Sequence, residues 1–390
     1  MPNGEAPIYL DHNATTPLAP EVLAAMLPIL RRHHGNPSSS HVYGRQAAAA
    51  VATARESVAG LVGCRPDEVV FTGGGSEANN LAIRGVAAAR PDRSHIVTTA
   101  IEHPATAEPC ALLERQGHSV SRIAVRPDGT IDLAAAAAML DDDTALVSVI
   151  HAHNETGIVQ PVGGLAALAR QRGAVVHVDA AQSLGKIPVS LDELAADLIS
   201  IAGHKLYGPK GVGALIVRRG TPLEPLLVGG GQERGLRPGT ENVAGIVGLA
   251  AACALAGRDL ADEGRRLRGL RDDLLARLAA GIPGLGLNGG DLVERLPNTL
   301  SVRFPGVHGS DLLAATPGIA ASTGSACHAG HDTPPAVLTA MGIAADDALG
   351  TVRLSLGRDT TAAAVAVAAE QLAAAWSNRR SRPTAAVQIR

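Results

Sequence analysis

Lysine is nearly missing from this chain. Of its 34 basic residues only Lys186, Lys205 and Lys210 are lysine, and all three lie between positions 186 and 210. A guanidinium keeps its proton in a protein, whereas an ε-amine can lose it and attack a carbonyl to form a Schiff base. Lys205, in Ser200-Ile-Ala-Gly-His-Lys-Leu-Tyr-Gly-Pro-Lys-Gly211, is the candidate for that chemistry. The alternative is that three lysines survived an arginine-rich bias by chance.

Cysteine is scarce as well. Cys64, Cys110, Cys253 and Cys327 stand far apart with no Cys-x-x-Cys pair, so neither a disulfide framework nor a zinc knuckle is suggested. Three of them sit in or beside helix-like segments, where a free cysteine is a small hydrophobe. Cys327 differs: in Ser322-Thr-Gly-Ser-Ala-Cys-His-Ala-Gly330 small neighbours give access and a histidine favours the thiolate. No run of about 20 apolar residues is free of charge, so no membrane span is expected. Met1-Pro-Asn-Gly-Glu5 lacks the basic and apolar regions of a leader, making a cytoplasmic protein the expectation. With a net charge of −3 and no basic run apart from Arg379-Arg380, the chain carries no footprint for nucleic acid.

What is present is alternation. Short apolar, β-branched runs at 68–72, 95–99, 145–150, 174–179, 197–201 and 213–217 are separated by alanine-rich helical stretches, mostly of crossover length. This predicts an α/β fold with a mainly parallel sheet. Polar residues follow the strand ends, where such folds collect ligands: Gly73-Gly-Gly-Ser76, Glu102-His103, Asn154, Asp179 with Gln182, and His204-Lys205. After about residue 255 come a charged helix, Arg258 to Ala280, strand-like pieces at 298–303 and 351–355, and a last helix from Ala362 to Trp376. The expected organisation is a large domain over 16–255, a smaller one from 1–15 and 256–376, and a flexible tail over 377–390.

Three pieces converge on one chemistry. Thr72-Gly-Gly-Gly-Ser-Glu-Ala-Asn-Asn80 offers bare backbone N–H groups and the Ser76 hydroxyl to a phosphate at a helix start, or is simply a tight turn. Asp179 ends a buried strand and needs a cationic partner, which a protonated pyridine nitrogen would supply, or it caps a helix. With a Schiff-base lysine 26 residues later, these meet the requirements of pyridoxal 5′-phosphate held as an electron sink. His103, in Ile101-Glu-His-Pro104, is placed to stack on such a ring and exchange protons.

From Tyr9 to Thr360 the chain resembles the class V, fold-type I pyridoxal phosphate enzymes that include cysteine desulfurases and selenocysteine lyases. The marks are Tyr9-Leu-Asp-His-Asn-Ala-Thr-Thr-Pro17, Glu102-His-Pro-Ala105, Asn154-Glu-Thr-Gly157, His177-Val-Asp-Ala-Ala-Gln182, Gly203-His-Lys-Leu-Tyr-Gly-Pro-Lys-Gly211, Arg237-Pro-Gly-Thr-Glu-Asn242, Gly324-Ser-Ala-Cys327 and Arg353-Leu-Ser-Leu-Gly-Arg358. The resemblance implies a seven-stranded large-domain sheet and a smaller α/β C-terminal domain. It implies that Lys205 bears the cofactor, Asp179 pairs with the ring nitrogen, Gln182 bonds the ring oxygen and His103 stacks and moves protons. Gly75, Ser76 and His204 would hold the phosphate with Thr240 from the other subunit of a homodimer. Asn154 and Arg353 would position the substrate, Arg353 by a bidentate fork.

The implied activity is conversion of L-cysteine to L-alanine, with sulfur passed to Cys327 as a persulfide and then to an acceptor protein. His328 or His331 either assists Cys327 or is a solvated loop residue. Ala202 replaces a serine common in desulfurases, and Ala326-Cys-His-Ala-Gly-His331 replaces a serine- or threonine-rich continuation. Both departures point toward the selenocysteine lyase branch, so L-selenocysteine is the alternative substrate. An aminotransferase and a catalytically inert scaffold for sulfur carriers are the remaining alternatives.

Overall fold

The computed structural model describes residues 6–323 and 333–380. Among them the strands are β1 (Ile8–Tyr9), β2 (Val69–Thr72), β3 (His95–Thr99), β4 (Ser119–Ile123), β5 (Thr144–Ile150), β6 (Val175–Asp179), β7 (Leu198–Ala202), β8 (Gly213–Val217), β9 (Gly286–Leu287), β10 (Thr299–Arg303), β11 (Ile319–Ala320) and β12 (Thr351–Ser355). The large sheet has seven strands in the order β2-β8-β7-β6-β5-β3-β4. Only β8 runs against its neighbours, β2 and β7; the other pairings are parallel.

Every residue of β3, β5, β6 and β7 is buried, as expected of parallel strands covered by helices on both faces. The alternation of β-branched runs and alanine-rich helices therefore produced the predicted α/β architecture. Sequence alone did not reveal β4: as an edge strand it buries only Ile123, so Ser119-Val-Ser-Arg-Ile123 carries no apolar run.

Parallel alignment fixes where the functional loops emerge. Ile150 pairs with Asp179 and Asp179 with Ser200, so β5, β6 and β7 end together. The segments after β3, β5, β6 and β7 thus leave the same edge of the sheet, beside the turn from β2 into the helix Gly75–Ala89.

A second core lies around the antiparallel strands β12-β10-β9, with the helix Ala362–Arg380 packed on it through Val365, Leu372 and Trp376. The N-terminus joins this core: β1 pairs with β11, Leu10 is buried among Leu300, Leu354 and Leu356, and Asp11 bridges to Ser355. One helix of 39 residues, Val243–Gly281, connects the two cores without a break at residue 255. Its first half buries Ile246, Leu249, Cys253 and Leu255 in the large core, and its second half Leu267, Leu274 and Leu278 in the small one. Length and composition alone would let this helix cross a membrane, but the burial of these apolar side chains explains its hydropathy.

Candidate functional site

The strand ends converge on a cleft of about 230 Å³ whose lining includes Gly75, Ser76, His103, Asn154, Asp179, Gln182, His204 and Lys205. Eight residues expected from the sequence are thus brought together from segments scattered over about 130 positions, as the parallel sheet topology dictates.

At one end lies the start of the helix Gly75–Ala89. Gly74 adopts φ 148°, a conformation open to glycine, and no side chain caps the helix. Its first N–H groups therefore remain free to meet an anion beside Ser76 and His204. His204 Nδ1 lies 3.1 Å from Thr15 Oγ1, and burial, then the charges of Lys205, Lys210 and Lys186, push its pKa down to about 4. The ring is neutral at physiological pH. Ala202 lines the same end, where a serine would have added a hydroxyl.

Asp179, buried at the end of β6, also lines the cleft. Its Oδ1 accepts the Ala181 N–H at 2.9 Å and its Oδ2 accepts Asn79 Nδ2 at 2.7 Å. It does cap the following turn, but it also faces the cleft. Asn79 follows Gly75 by one helical turn and so shares its face of the helix. That Gly-x-x-x-Asn spacing was the signal available in the sequence, and it went unread. Asn79 Oδ1 is buried without a partner.

Lys205 follows β7, and its Nζ donates to the backbone oxygens of Asn13 at 2.6 Å and Ala14 at 2.8 Å. Burial first, then the Arg353 charge, lower its pKa to about 8, against the opposing pull of Asp179 and Asp11. An amine held there loses its proton readily near neutral pH, as a Schiff-base nucleophile must.

In the same cleft, His103 Nδ1 accepts the Ala105 N–H at 3.1 Å, which leaves the proton of the neutral ring on Nε2. Desolvation lowers its pKa, with Asp179 opposing and Lys205 reinforcing the shift. Beside it, Glu102 Oε1 accepts from Thr99 Oγ1 at 2.6 Å and from the Ile150 N–H at 2.9 Å, while its Oε2 is buried and unpartnered. Burial pushes this carboxyl up to about 8. Nothing in the sequence marked Glu102 as a protonated acid.

Two expected residues lie outside the cleft lining. Arg353, on β12, donates from Nη2 to Asp11 Oδ1 at 2.7 Å and from Nη1 to the Asn154 oxygen at 3.0 Å. Its Nε is buried without an acceptor. Thr240 is exposed, beyond the turn that follows Arg237. Cys327, His328 and His331 lie outside the described residues.

Asn13 is the unforeseen centre of this site. Its backbone oxygen accepts from both Lys205 and Gln182, its Oδ1 from Lys186 and Asn298, and its Nδ2 donates to the Asn154 oxygen and Thr299 Oγ1. Only its place in the Tyr9–Pro17 segment drew notice in the sequence, since partners hundreds of residues away leave no local signal.

The chain is similar to known proteins over most of its length. The aminotransferase class-V family model matches residues 8–367. A cysteine desulfurase of Trichormus azollae is 46% identical over 360 residues, covering 92% of this chain and 90% of its own. A solved NifS-like protein superposes with a TM-score of 0.89 at 37% identity, over 95% of this chain and 100% of the other. SspA solved in complex with cysteine gives a TM-score of 0.80 at 35% identity, over 89% and 98%.

Proposed function

Since this chain belongs to the aminotransferase class-V family and is a cysteine desulfurase, we propose that the cleft around Lys205 holds pyridoxal 5′-phosphate and that L-cysteine reacts there. One observation carries this reading: an amine with a pKa near 8 and a buried carboxylate line the same cleft as an uncapped helix N-terminus. That donor set fits the group. Lys205 would attach it, Asp179 would meet its ring nitrogen, Gln182 its ring oxygen, and Gly75, Ser76 and His204 its phosphate. The exposed Thr240 fits a phosphate contact made across a homodimer.

When bound, the cofactor supplies an electron sink for the bonds around the substrate α-carbon. The chain supplies the rest. Lys205 Nζ, once freed by the incoming substrate amine, would take the proton from the substrate α-carbon. His103, which lines the cleft, would stack on the ring and offer its Nε2 proton. Arg353, which donates from Nη1 to the Asn154 oxygen beside the cleft, would meet the substrate carboxylate. The Cys327 thiolate attacks the substrate sulfur: a sulfur–sulfur bond forms, the carbon–sulfur bond breaks, and the carbon fragment leaves as L-alanine after protonation. The persulfide then passes to an acceptor protein.

Alanine release from L-cysteine and L-selenocysteine, measured side by side on the reduced, cofactor-loaded enzyme, tests this. Turnover of cysteine that is lost in Cys327→Ala supports the proposal. Turnover of selenocysteine alone would give the site to the alternative substrate, and turnover of neither would overturn the reading.

A further inference from the structure

Of the three lysines, Lys205 lines the cleft and Lys210 is exposed, which leaves Lys186 without a part. Its half-buried side chain follows a turn at Gly185 and sets the amine in a desolvated position beside Gln182. Gly185 takes φ +77° with Ala256 and Leu206 3.2 and 3.3 Å from where a Cβ would stand, so this backbone is held close against the Val243–Gly281 helix.

Lys186 Nζ donates to Gln182 Oε1 at 2.8 Å and lies 3.3 Å from Asn13 Oδ1. Both partners are neutral amides. The charges that act on it, Lys205 and Arg353, are cations and, after burial itself, hold its pKa well below the ordinary lysine value. A desolvated amine with no anion beside it is a poor choice for packing; methionine or leucine would fill the space at lower cost.

What the amine does is reinforce an orientation. The Asn13 backbone oxygen can only accept, so the Gln182 amide nitrogen must face it, at 2.9 Å. The amide oxygen is then turned to Lys186, whose N–H groups satisfy it. Gln182 lines the cleft, and its second Nε2 hydrogen is the one left for a ligand there.

We propose that Lys186 is a positioning residue: by donating to Gln182 Oε1 and Asn13 Oδ1 it helps hold the Gln182 amide with its nitrogen, not its oxygen, toward the ring oxygen of the cofactor. The inference rests on the reading of the cleft as a pyridoxal phosphate site. Without Lys186 the amide oxygen loses its donor, and the Asn13 oxygen alone holds the nitrogen in place.

The test is a titration of pyridoxal phosphate into the apo forms of wild type, Lys186→Met, Gln182→Leu and the double variant, following the absorbance band of the bound cofactor, with the melting temperature of each apo protein. Lys186→Met is expected to bind about tenfold more weakly with a shifted band, while its apo form melts no lower than wild type. In the Gln182→Leu background it should add nothing, because both changes break one interaction. Wild-type binding and band in Lys186→Met, additive losses in the double variant, or a drop in melting temperature parallel to the binding loss would each overturn the proposal; Lys186→Leu replaces Lys186→Met should the latter not fold. If wild type does not bind the cofactor, or Gln182→Leu alone binds like wild type, the reading of the cleft falls, and this inference with it.

Discussion

Lys205 Nζ donates to the backbone oxygen of Asn13 at 2.6 Å across 192 residues of sequence. The bond ties the reactive amine to the N-terminal segment, whose Leu10 and Asp11 belong to the small core and its strands. The amine is therefore shaped by both halves of the molecule: β7 delivers it, and the N-terminal segment supplies its acceptors.

Charge on Lys205 costs the apo protein stability at neutral pH. Its folded pKa of about 8 lies below the ordinary 10.5, so between these values the unfolded chain binds the proton more tightly and stability rises with pH. Apo Lys205→Met is expected to melt above wild type at pH 7, with the gap closing toward pH 10.5, while catalysis is lost. Equal melting temperatures at pH 7 would show that the amine is not depressed.

Glu102 works in the opposite sense. With a folded pKa of about 8 against an ordinary 4.5, its carboxyl keeps a proton that the unfolded chain releases, so its contribution is full below pH 4.5 and fades as pH rises through 8. Glu102→Gln keeps an oxygen for Thr99 and the Ile150 N–H and cannot ionise. Thermal melts from pH 4.5 to 8 should show the variant gaining steadily on wild type; a constant difference would mean that Glu102 is already ionised in the fold.

Asn13→Ala removes side-chain partners from Lys186, Asn298, Thr299 and the Asn154 oxygen at a buried position. Stranding these groups is expected to cost roughly 2–4 kcal/mol. Denaturant unfolding of the apo protein measures it, and a loss well under 1 kcal/mol would show that the surroundings re-pair without it.

Arg353→Lys preserves the charge and removes the planar fork that bonds Asp11 and Asn154 at once. KM for L-cysteine is expected to rise on the order of tenfold or more, with a smaller change in kcat. Steady-state alanine release reads both; an unchanged KM would remove Arg353 from carboxylate binding.

The sequence by itself determined the α/β class, the residues at the strand ends and the chemistry they suggest. Those signals are local: β-branched runs, a glycine turn, Asp179 closing a buried strand and a lone lysine type. Parallel pairing then turns adjacency to a strand end into convergence in space, which is why so many of the expected residues share one cleft. Tertiary structure alone decided the rest. Asn13 found partners at Asn154, Gln182, Lys205 and Thr299, Glu102 was desolvated into holding a proton, and Lys186 was set beside amides rather than carboxylates. A hydrogen-bond partner hundreds of residues away leaves no periodicity or spacing in the chain, and a pKa depends on which surfaces close over a group. Neither can be read until the fold has brought the surfaces together.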